Sequence, residues 1–328
     1  MESTNQKSIR WGIIGCGDVT EVKSGPAYQN TEGFELLAVM RRDAEKAADY
    51  ARRHQVPKHY ADANALINDD EIDAVYIATP PDSHRQYALA VAEAGKPCCI
   101  EKPMAPSFAE SREVYEAFEK KNIPLFVAYY RRTLPRFLKI KEWIDTKAIG
   151  EVRHIRWFLS KRPNAIDLSG EYNWRTDAKV APAGYFDDLA SHGLDLFAYL
   201  LGDFENVTGI ALNQQGLYTA KDAITGNWSH KSGITGEGTW NFGCDRSEDT
   251  VEIFGSTGKI GFAIFEEAEV VLQNERGEEK HFIEHPKHVQ EFHVESLKEH
   301  LFGGETHPST GRTALHTSWV MDRILGNI

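Results

Sequence analysis

Lys102, Asp188 and His192 are the side chains in this sequence whose types and spacing could move a proton to and from an alcohol oxygen. Taking a hydride from a carbinol carbon requires a proton to leave the same oxygen, so an acid–base group must stand within hydrogen-bonding reach. Lys102 follows the short apolar run Cys98-Cys99-Ile100 and is expected at the C-terminal end of a strand, where open α/β sheets bind ligands. Asp188 and His192 stand i, i+4 in an expected helix over 184–201, so one face carries both and the carboxylate can orient the imidazole. Tyr185, in the same turn, is a further candidate donor, ranked after His192.

Such groups need a rigid frame, and the chain of 328 residues is long enough for two domains. From residue 8 to about 127, short apolar runs expected as strands (9–14, 34–39, 74–78, 98–100, 124–128) alternate with helix-like stretches (19–29, 44–54, 84–94, 108–121). Parallel neighbours need long crossovers, so this pattern implies a doubly wound parallel sheet of Rossmann type, α/β, over 1–127. Beyond residue 150 the rhythm changes to segments with period-two alternation, EVRHIRWFLS, NVTGIALN, GITGEGTWNF, TVEIFGSTGKIGFAIF, EVVLQN and KHFIE, joined by turns such as NERG. The second domain, 128–328, is expected to be α+β with a large, mostly antiparallel sheet and helices over 184–201, 288–302 and 310–325.

The first strand runs into Gly15-Cys16-Gly17-Asp18-Val19-Thr20 and then a helix, the context that a dinucleotide loop requires. Gly15 would make the tight turn. Gly17, Asp18 and Val19 would bring backbone amides toward a pyrophosphate. Thr20 replaces the usual small third residue, and Gly25-Pro26 should disturb the helix. At the end of the second strand, Arg41 and Arg42 stand where an acid would bind the ribose hydroxyls of NAD. Two guanidinium groups suit a 2′-phosphate, so NADP(H) is preferred and NAD(H) stays possible, with Asp43 still within reach of a ribose.

The segments Asp73-AVYIATPPDS-His84 and Ala94-GKPCCI-Glu101-Lys102-Pro103 strongly resemble the glucose–fructose oxidoreductase, inositol dehydrogenase and rhizopine catabolism (Gfo/Idh/MocA) family. The likeness continues through Ala128-YYRRTL-Pro135, Asn173-Trp174-Arg175 and Gly184-YFD-Asp188-LAS-His192-GL-Asp195, and covers nearly the whole chain. The resemblance implies a nicotinamide-dependent enzyme acting on a sugar, polyol or related hydroxy compound, with the cofactor on the first domain. It implies that Thr79, Pro80, His84 and Glu101 lie beside the nucleotide, with Lys102 next to the nicotinamide. It further implies that Asp188 and His192 complete the catalytic set. Arg132, Trp174 and Arg175 are matched to the cofactor side, and Tyr130 with Lys102, Asp188 and His192 to the substrate side. Family members commonly associate through the second domain, so a dimer or dimer of dimers is expected. Pro182, Ala183 and Ala190 stand where the family often has glycine, so the substrate is not carried over; a dihydrodiol dehydrogenase and a non-catalytic NADP-binding sensor are the alternative readings.

A net charge of −12 argues against a nucleic-acid surface, which depends on Lys and Arg neutralising phosphates. The polar start MESTNQKSIRWG offers neither a secretory core nor a membrane span, which makes the cytoplasm the expected compartment. Cys16, Cys98, Cys99 and Cys244 form no CxxC pair and are expected as reduced thiols. His281, His285, His288 and His293 invite a metal reading, but Pro286 interrupts any shared helix and no metal is expected. No GxSxG or HExxH is present, so hydrolysis lacks a starting residue.

Overall fold

The computed structural model describes residues 8–328, so the polar segment 1–7 and the expected domain start at residue 1 lie outside the described residues. The chain divides into two compact units: residues up to Ala105 with Ala109–Tyr130 and Pro286–Leu315, and Pro106–Phe108 with Arg131–His285 and His316–Ile328. This differs from a single cut after residue 127 chiefly in residues 286–315, which pack with the first unit. The reason is burial: the helix Glu291–Leu301 inserts Val294 and Leu297, both fully buried, among Trp11, Tyr28, Tyr76 and Cys99.

The first unit carries six parallel strands, β1 (Ile9–Ile14), β2 (Phe34–Met40), β3 (Lys58–Tyr60), β4 (Ala74–Ile77), β5 (Cys98–Ile100) and β6 (Leu125–Val127), in the order β3-β2-β1-β4-β5-β6. The order reverses direction between β1 and β4, the switch point at which doubly wound sheets bind nucleotides beyond the strand C-termini. Both sheet faces are covered, which is why residues 11–14 of β1, β4 and β5 read as continuous apolar runs rather than alternating ones. On one face Trp11 packs 4.8 Å from Tyr28 and 5.3 Å from Phe34, measured between ring centroids. On the other, Leu66, Val75, Ile100, Val114 and Phe118 close the core. Burying each such side chain contributes roughly 1.5–3 kcal/mol before the entropy of ordering it.

The strands expected from apolar runs are present to within a residue or two, and the helices Ala44–His54 and Phe108–Lys121 have the expected limits. The strand β3 and the helix Ala63–Ile67 were not expected: Lys-His-Tyr is polar and lies at the sheet edge, so it leaves no apolar signature. The expected helix over 19–29 is broken into Asp18–Val22 and Gly25–Asn30, the break falling at Lys23-Ser24, immediately before Gly25-Pro26.

The second unit holds eight strands, β7 (Val152–Ser160), β8 (Phe204–Leu212), β9 (Ala223–His230), β10 (Thr235–Asn241), β11 (Glu248–Gly255), β12 (Gly258–Phe262), β13 (Val270–Asn274) and β14 (Gly277–His281). Their order is β14-β13-β12-β11-β7-β10-β9-β8, antiparallel except between β7 and β10. Alternation along β7 buries Ile155, Trp157 and Leu159 and leaves Arg156 and Phe158 on the opposite face. Strand β9 was missed because Gly226, Asn227 and Ser229 give AITGNWSH the look of a turn. Among the described residues, no helix is long and apolar enough to cross a membrane.

Candidate functional site

In the first unit, β1 delivers the chain into the Gly loop, where the Gly15 and Cys16 amides donate to Met40 O at 2.8 and 3.1 Å. Gly15 has φ +95°, and a Cβ there would meet Thr79 Cγ2 at 2.7 Å and Thr79 N at 2.9 Å, so only glycine lets the β1 and β4 turns approach this closely. Thr20 is fully buried and closes the loop on itself: the Gly17 amide donates to Thr20 Oγ1 at 3.1 Å and that hydroxyl donates to Gly17 O at 2.8 Å. The packing role of a third glycine passes to Gly25, where a Cβ would lie 2.3 Å from Thr20 O and 2.6 Å from Tyr50 Oη. Tyr50 Oη donates to Thr20 O at 2.8 Å, and this contact fixes the broken helix against the helix Ala44–His54.

This loop fits a dinucleotide. A Cβ on Gly17 would meet nothing nearer than Gly15 O at 3.9 Å, so the backbone there is open to a ligand. Asp18 and Val19 begin the helix Asp18–Val22, and as its first two positions their amides precede the first intrahelical bonds, which run from the Thr20 and Glu21 amides to Gly17 O at 3.0 and 3.2 Å. At the end of β2, Arg41 and Arg42 are both exposed, and Arg41 Nη1 donates to Cys16 O at 3.2 Å, which lays this guanidinium across the loop. Asp43 is occupied differently: it caps the helix Ala44–His54 by accepting from the Lys46 amide at 3.1 Å.

Beyond β4, Thr79 is half-buried and Pro80 exposed, and Thr79 Oγ1 accepts from Ser83 Oγ at 2.8 Å. His84, expected beside the nucleotide, is instead fully buried, with its ring nitrogens 2.9 Å from Pro103 O and 2.7 Å from Thr79 O. It clamps the β4 and β5 turns together. Two carbonyl acceptors are fully satisfied by a ring bearing both protons, whereas burial, the dominant influence, lowers the His84 pKa. Glu101 is likewise turned inward, 8% exposed, accepting from Tyr76 Oη at 2.6 Å, from Gln290 Nε2 at 2.6 Å and from the Lys102 amide at 3.2 Å. Its carboxylate is therefore committed within the protein. Lys102 follows β5, half-buried, with a cis peptide to Pro103.

In the second unit, Asp188 lies in a π-wound turn, Phe186–Ala190, that leads into the helix Ser191–Leu201, where the sequence had suggested one regular helix. Asp188 Oδ2 accepts from Arg175 Nε at 3.2 Å, and the Arg175 guanidinium lies 4.4 Å from the centre of the Trp174 ring. The structure thus brings Trp174, Arg175 and Asp188 together. His192 is 5% exposed and stands edge-on to Phe265, with ring centroids 6.0 Å apart. Tyr185 Oη donates to Asp167 Oδ2 at 2.6 Å and accepts from Asn173 Nδ2 at 3.0 Å. Burial and the Asp167 carboxylate push the phenol up to about 12, so Tyr185 is a poor alternative to His192 as donor near neutral pH. Arg132 is also committed elsewhere than expected: it is buried, with Nε and Nη2 donating to Asp195 Oδ2 and Oδ1 at 2.6 and 2.7 Å. Tyr130 is half-buried and ends the Ala109–Tyr130 segment of the first unit.

The histidines considered as metal ligands have separate surroundings: His288 Nδ1 faces Val22 O, His293 Nε2 faces Cys99 Sγ, His281 pairs with Glu279, and His285 lies beside Arg136. Asp167, Tyr76, Gln290 and Phe265 were missed from sequence. Tyr76 and Phe265 read as ordinary apolar strand positions, Asp167 belongs to no motif, and Gln290 closes the segment His285-PKHV-Gln290, which was weighed only for its histidines.

Residues 9–129 match the GFO/IDH/MocA oxidoreductase family, NAD-binding Rossmann fold, and residues 137–261 match the GFO/IDH/MocA C-terminal domain. Oxidoreductase P35 of Formosa agariphila is 38% identical over 323 residues, 98% of this chain and 99% of that protein. The levoglucosan dehydrogenase of Pseudarthrobacter phenanthrenivorans is 36% identical over 166 residues, 51% of this chain and 42% of that enzyme. Among solved structures, a levoglucosan dehydrogenase in complex with NADH superposes with TM-score 0.85 at 25% identity, over 97% of this chain and 96% of that one.

Proposed function

Since the chain belongs to the Gfo/Idh/MocA oxidoreductase family, and is thus an oxidoreductase acting on CH–OH groups, we propose that it interconverts a hydroxyl and a carbonyl of a sugar or polyol using NADP(H). The bound nicotinamide would accept or supply the hydride. Lys102 would hold the reacting oxygen and exchange its proton, with His192 shuttling that proton onward and Asp188 orienting His192. Arg175 Nε donates to the Asp188 carboxylate at 3.2 Å. Gly15, Gly17, Asp18 and Val19 would carry the pyrophosphate, Arg41 and Arg42 the 2′-phosphate, and Thr79 and Pro80 the nicotinamide half. Tyr130, Trp174 and Arg175 are placed on the substrate and cofactor sides by analogy with the family alone.

The observation that carries this reading is the half-buried Lys102 at the C-terminal end of β5, beside the switch point of a sheet whose Gly loop is open to a dinucleotide. The substrate class rests on relatives named for their action on levoglucosan, 1,5-anhydro-D-fructose and myo-inositol. The NADP(H) preference rests on the exposed Arg41 and Arg42 and on the use of Asp43 as a helix cap. Titration with NADPH and NADH, followed by turnover on anhydrosugars, aldoses and inositols, tests both points. Lys102→Met should lower kcat by about 10²–10⁴-fold, the usual worth of acid–base catalysis. Equal affinity for the two cofactors would overturn the arginine argument, and turnover by Lys102→Met at the wild-type rate would overturn the mechanism. Free, largely buried cysteines suit a reducing cytoplasm, and exposed Phe158, Ile210 and Leu212 on the second sheet suit self-association as a dimer or dimer of dimers, which light scattering would test.

A further inference from the structure

A buried polar cluster of the first unit surrounds the Glu101 carboxylate. Tyr76 Oη and Gln290 Nε2 both donate to Oε1 at 2.6 Å, and the Lys102 amide donates to Oε2 at 3.2 Å. Tyr76 is fully buried and Gln290 is 1% exposed, so these charge-assisted bonds act where water does not compete. The titratable groups that face Glu101 are Tyr76 on β4, Cys99 on β5, Tyr28 on the helix Gly25–Asn30, His84 on the helix His84–Glu93 and the adjoining Lys102. Burial pushes the two phenols and the thiol upward, so they stay protonated and neutral, and it pushes His84 down.

Gln290 reaches this cluster from far along the chain and is anchored on both sides. Its backbone amide donates to Lys23 O at 3.2 Å, and the His288 Nδ1–H donates to Val22 O at 2.6 Å, both at the end of the helix that begins at the Gly loop. On its other side Gln290 opens the helix Glu291–Leu301, whose Val294 and Leu297 are locked in the core. One short segment therefore grips both the Gly-loop helix and the acid that precedes Lys102.

We propose that Gln290 and Tyr76 are positioning residues that hold the Glu101 carboxylate inward, fix the Lys102 backbone through it, and tie that lysine to the dinucleotide loop. The proposal rests on the reading of Lys102 as the proton-exchanging group.

Three variants test it: Gln290→Met, Tyr76→Phe and Gln290→Glu. The first measurement needs no cofactor: hydrogen exchange of the apo protein at residues 98–104. Losing one charge-assisted bond should speed exchange at the Lys102 amide by about tenfold in Gln290→Met and Tyr76→Phe, and lower kcat by about tenfold with sugar KM within about threefold. In Gln290→Glu two carboxyl groups face each other and must share a proton. Its kcat should therefore be low at pH 8 and recover toward the wild-type value near pH 6, a dependence that Gln290→Met lacks. Wild-type exchange and kcat in a folded Gln290→Met, or a Gln290→Glu profile parallel to wild type, would overturn the proposal. Should Gln290→Met not fold, Tyr76→Phe removes only a hydroxyl, and wild-type exchange there would overturn it equally. If the wild-type protein turned over no sugar while exchange still rose in the variants, the catalytic reading would fail and the strut would stand.

Discussion

Arg132→Met separates two roles for a residue that the family likeness assigns to the cofactor and the structure commits to Asp195. The guanidinium donates through Nε and Nη2 to both carboxylate oxygens at 2.6 and 2.7 Å and through Nη2 to Asp195 O at 3.1 Å, with side-chain exposures of 4% and 1% for the pair. Thr317 Oγ1 adds one further bond to Asp195 Oδ1 at 3.0 Å. Removing the arginine leaves a buried carboxylate facing one hydroxyl, a change that costs about 3–5 kcal/mol. Whole domains are stable by only about 5–15 kcal/mol, so the loss is a large share of the second unit's stability. Urea unfolding followed by tryptophan fluorescence should show it, since Trp157, Trp228 and Trp240 all belong to the sheet against which the helix Ser191–Leu201, which carries Asp195, packs through Phe197. Because the substitution leaves a charge stranded, the double variant Arg132→Met/Asp195→Leu should recover part of the loss. NADPH affinity should stay within about threefold of wild type under conditions where the variant is folded, well under the 1.4 kcal/mol of a tenfold change. Unchanged stability together with a cofactor affinity weakened more than about tenfold would refute this account and restore Arg132 to the cofactor.

Tyr185→Phe deletes the 2.6 Å bond to Asp167, which is 6% exposed, and should cost about 1–3 kcal/mol in unfolding experiments with kcat reduced less than about tenfold. Because the phenol is pushed up to about 12, any alkaline limb of kcat below pH 10 should persist in the variant; a loss of it would make Tyr185 the donor. Glu21, on the helix that follows the Gly loop, is held at about 2 chiefly by hydrogen bonds from Arg53, with His54 assisting. A lowered native pKa means its stabilisation is complete above the ordinary value of 4.5 and is lost as pH falls toward 2, so wild type and Glu21→Gln should differ by about 1 kcal/mol at pH 7 and converge in acid. Gly25→Ala places a Cβ 2.3 Å from Thr20 O and should cost about 1–3 kcal/mol while weakening NADPH binding; calorimetry and cofactor titration check the two effects, and an unperturbed melting temperature would show that the helix break is not closely packed.

The parallel sheet was legible because strands buried on both faces must be continuously apolar, and WGII of β1, AVYI and CCI are. What escaped notice obeys weaker constraints. Strand β3 is a polar edge, and β9 carries an exposed Asn227 and a glycine where a Cβ on Gly226 would meet Ile324 at 3.1 Å. The helix Glu291–Leu301 was foreseen from its pattern, yet amphipathic spacing states only that one face is buried, not which core receives it. Its assignment to the first unit follows from long-range contacts such as Cys99 Sγ with His293 Nε2, which no local window contains.

The same limit governs the site. Spacing selects residues that a motif holds together, but a motif retains scaffold and chemistry alike, and exposure separates them. His84, Glu101 and Arg132 each have at most 8% of their surface exposed and place their polar atoms on other protein atoms. A buried polar group that is already satisfied gains little from a ligand and would be costly to release. Arg41, Pro80 and Arg175 are exposed, and Thr79, Lys102 and Asp188 are half-buried, so those side chains can still meet a ligand. His192 stands between the groups, only 5% exposed beside the half-buried Phe265. A catalytic role for it therefore requires a path to the imidazole, and Phe265, edge-on to the ring, is the neighbour through which to test for one. Phe265→Ala should open that path and change kcat and its pH profile more than it changes stability if His192 shuttles the proton, and stability alone if His192 is only packed.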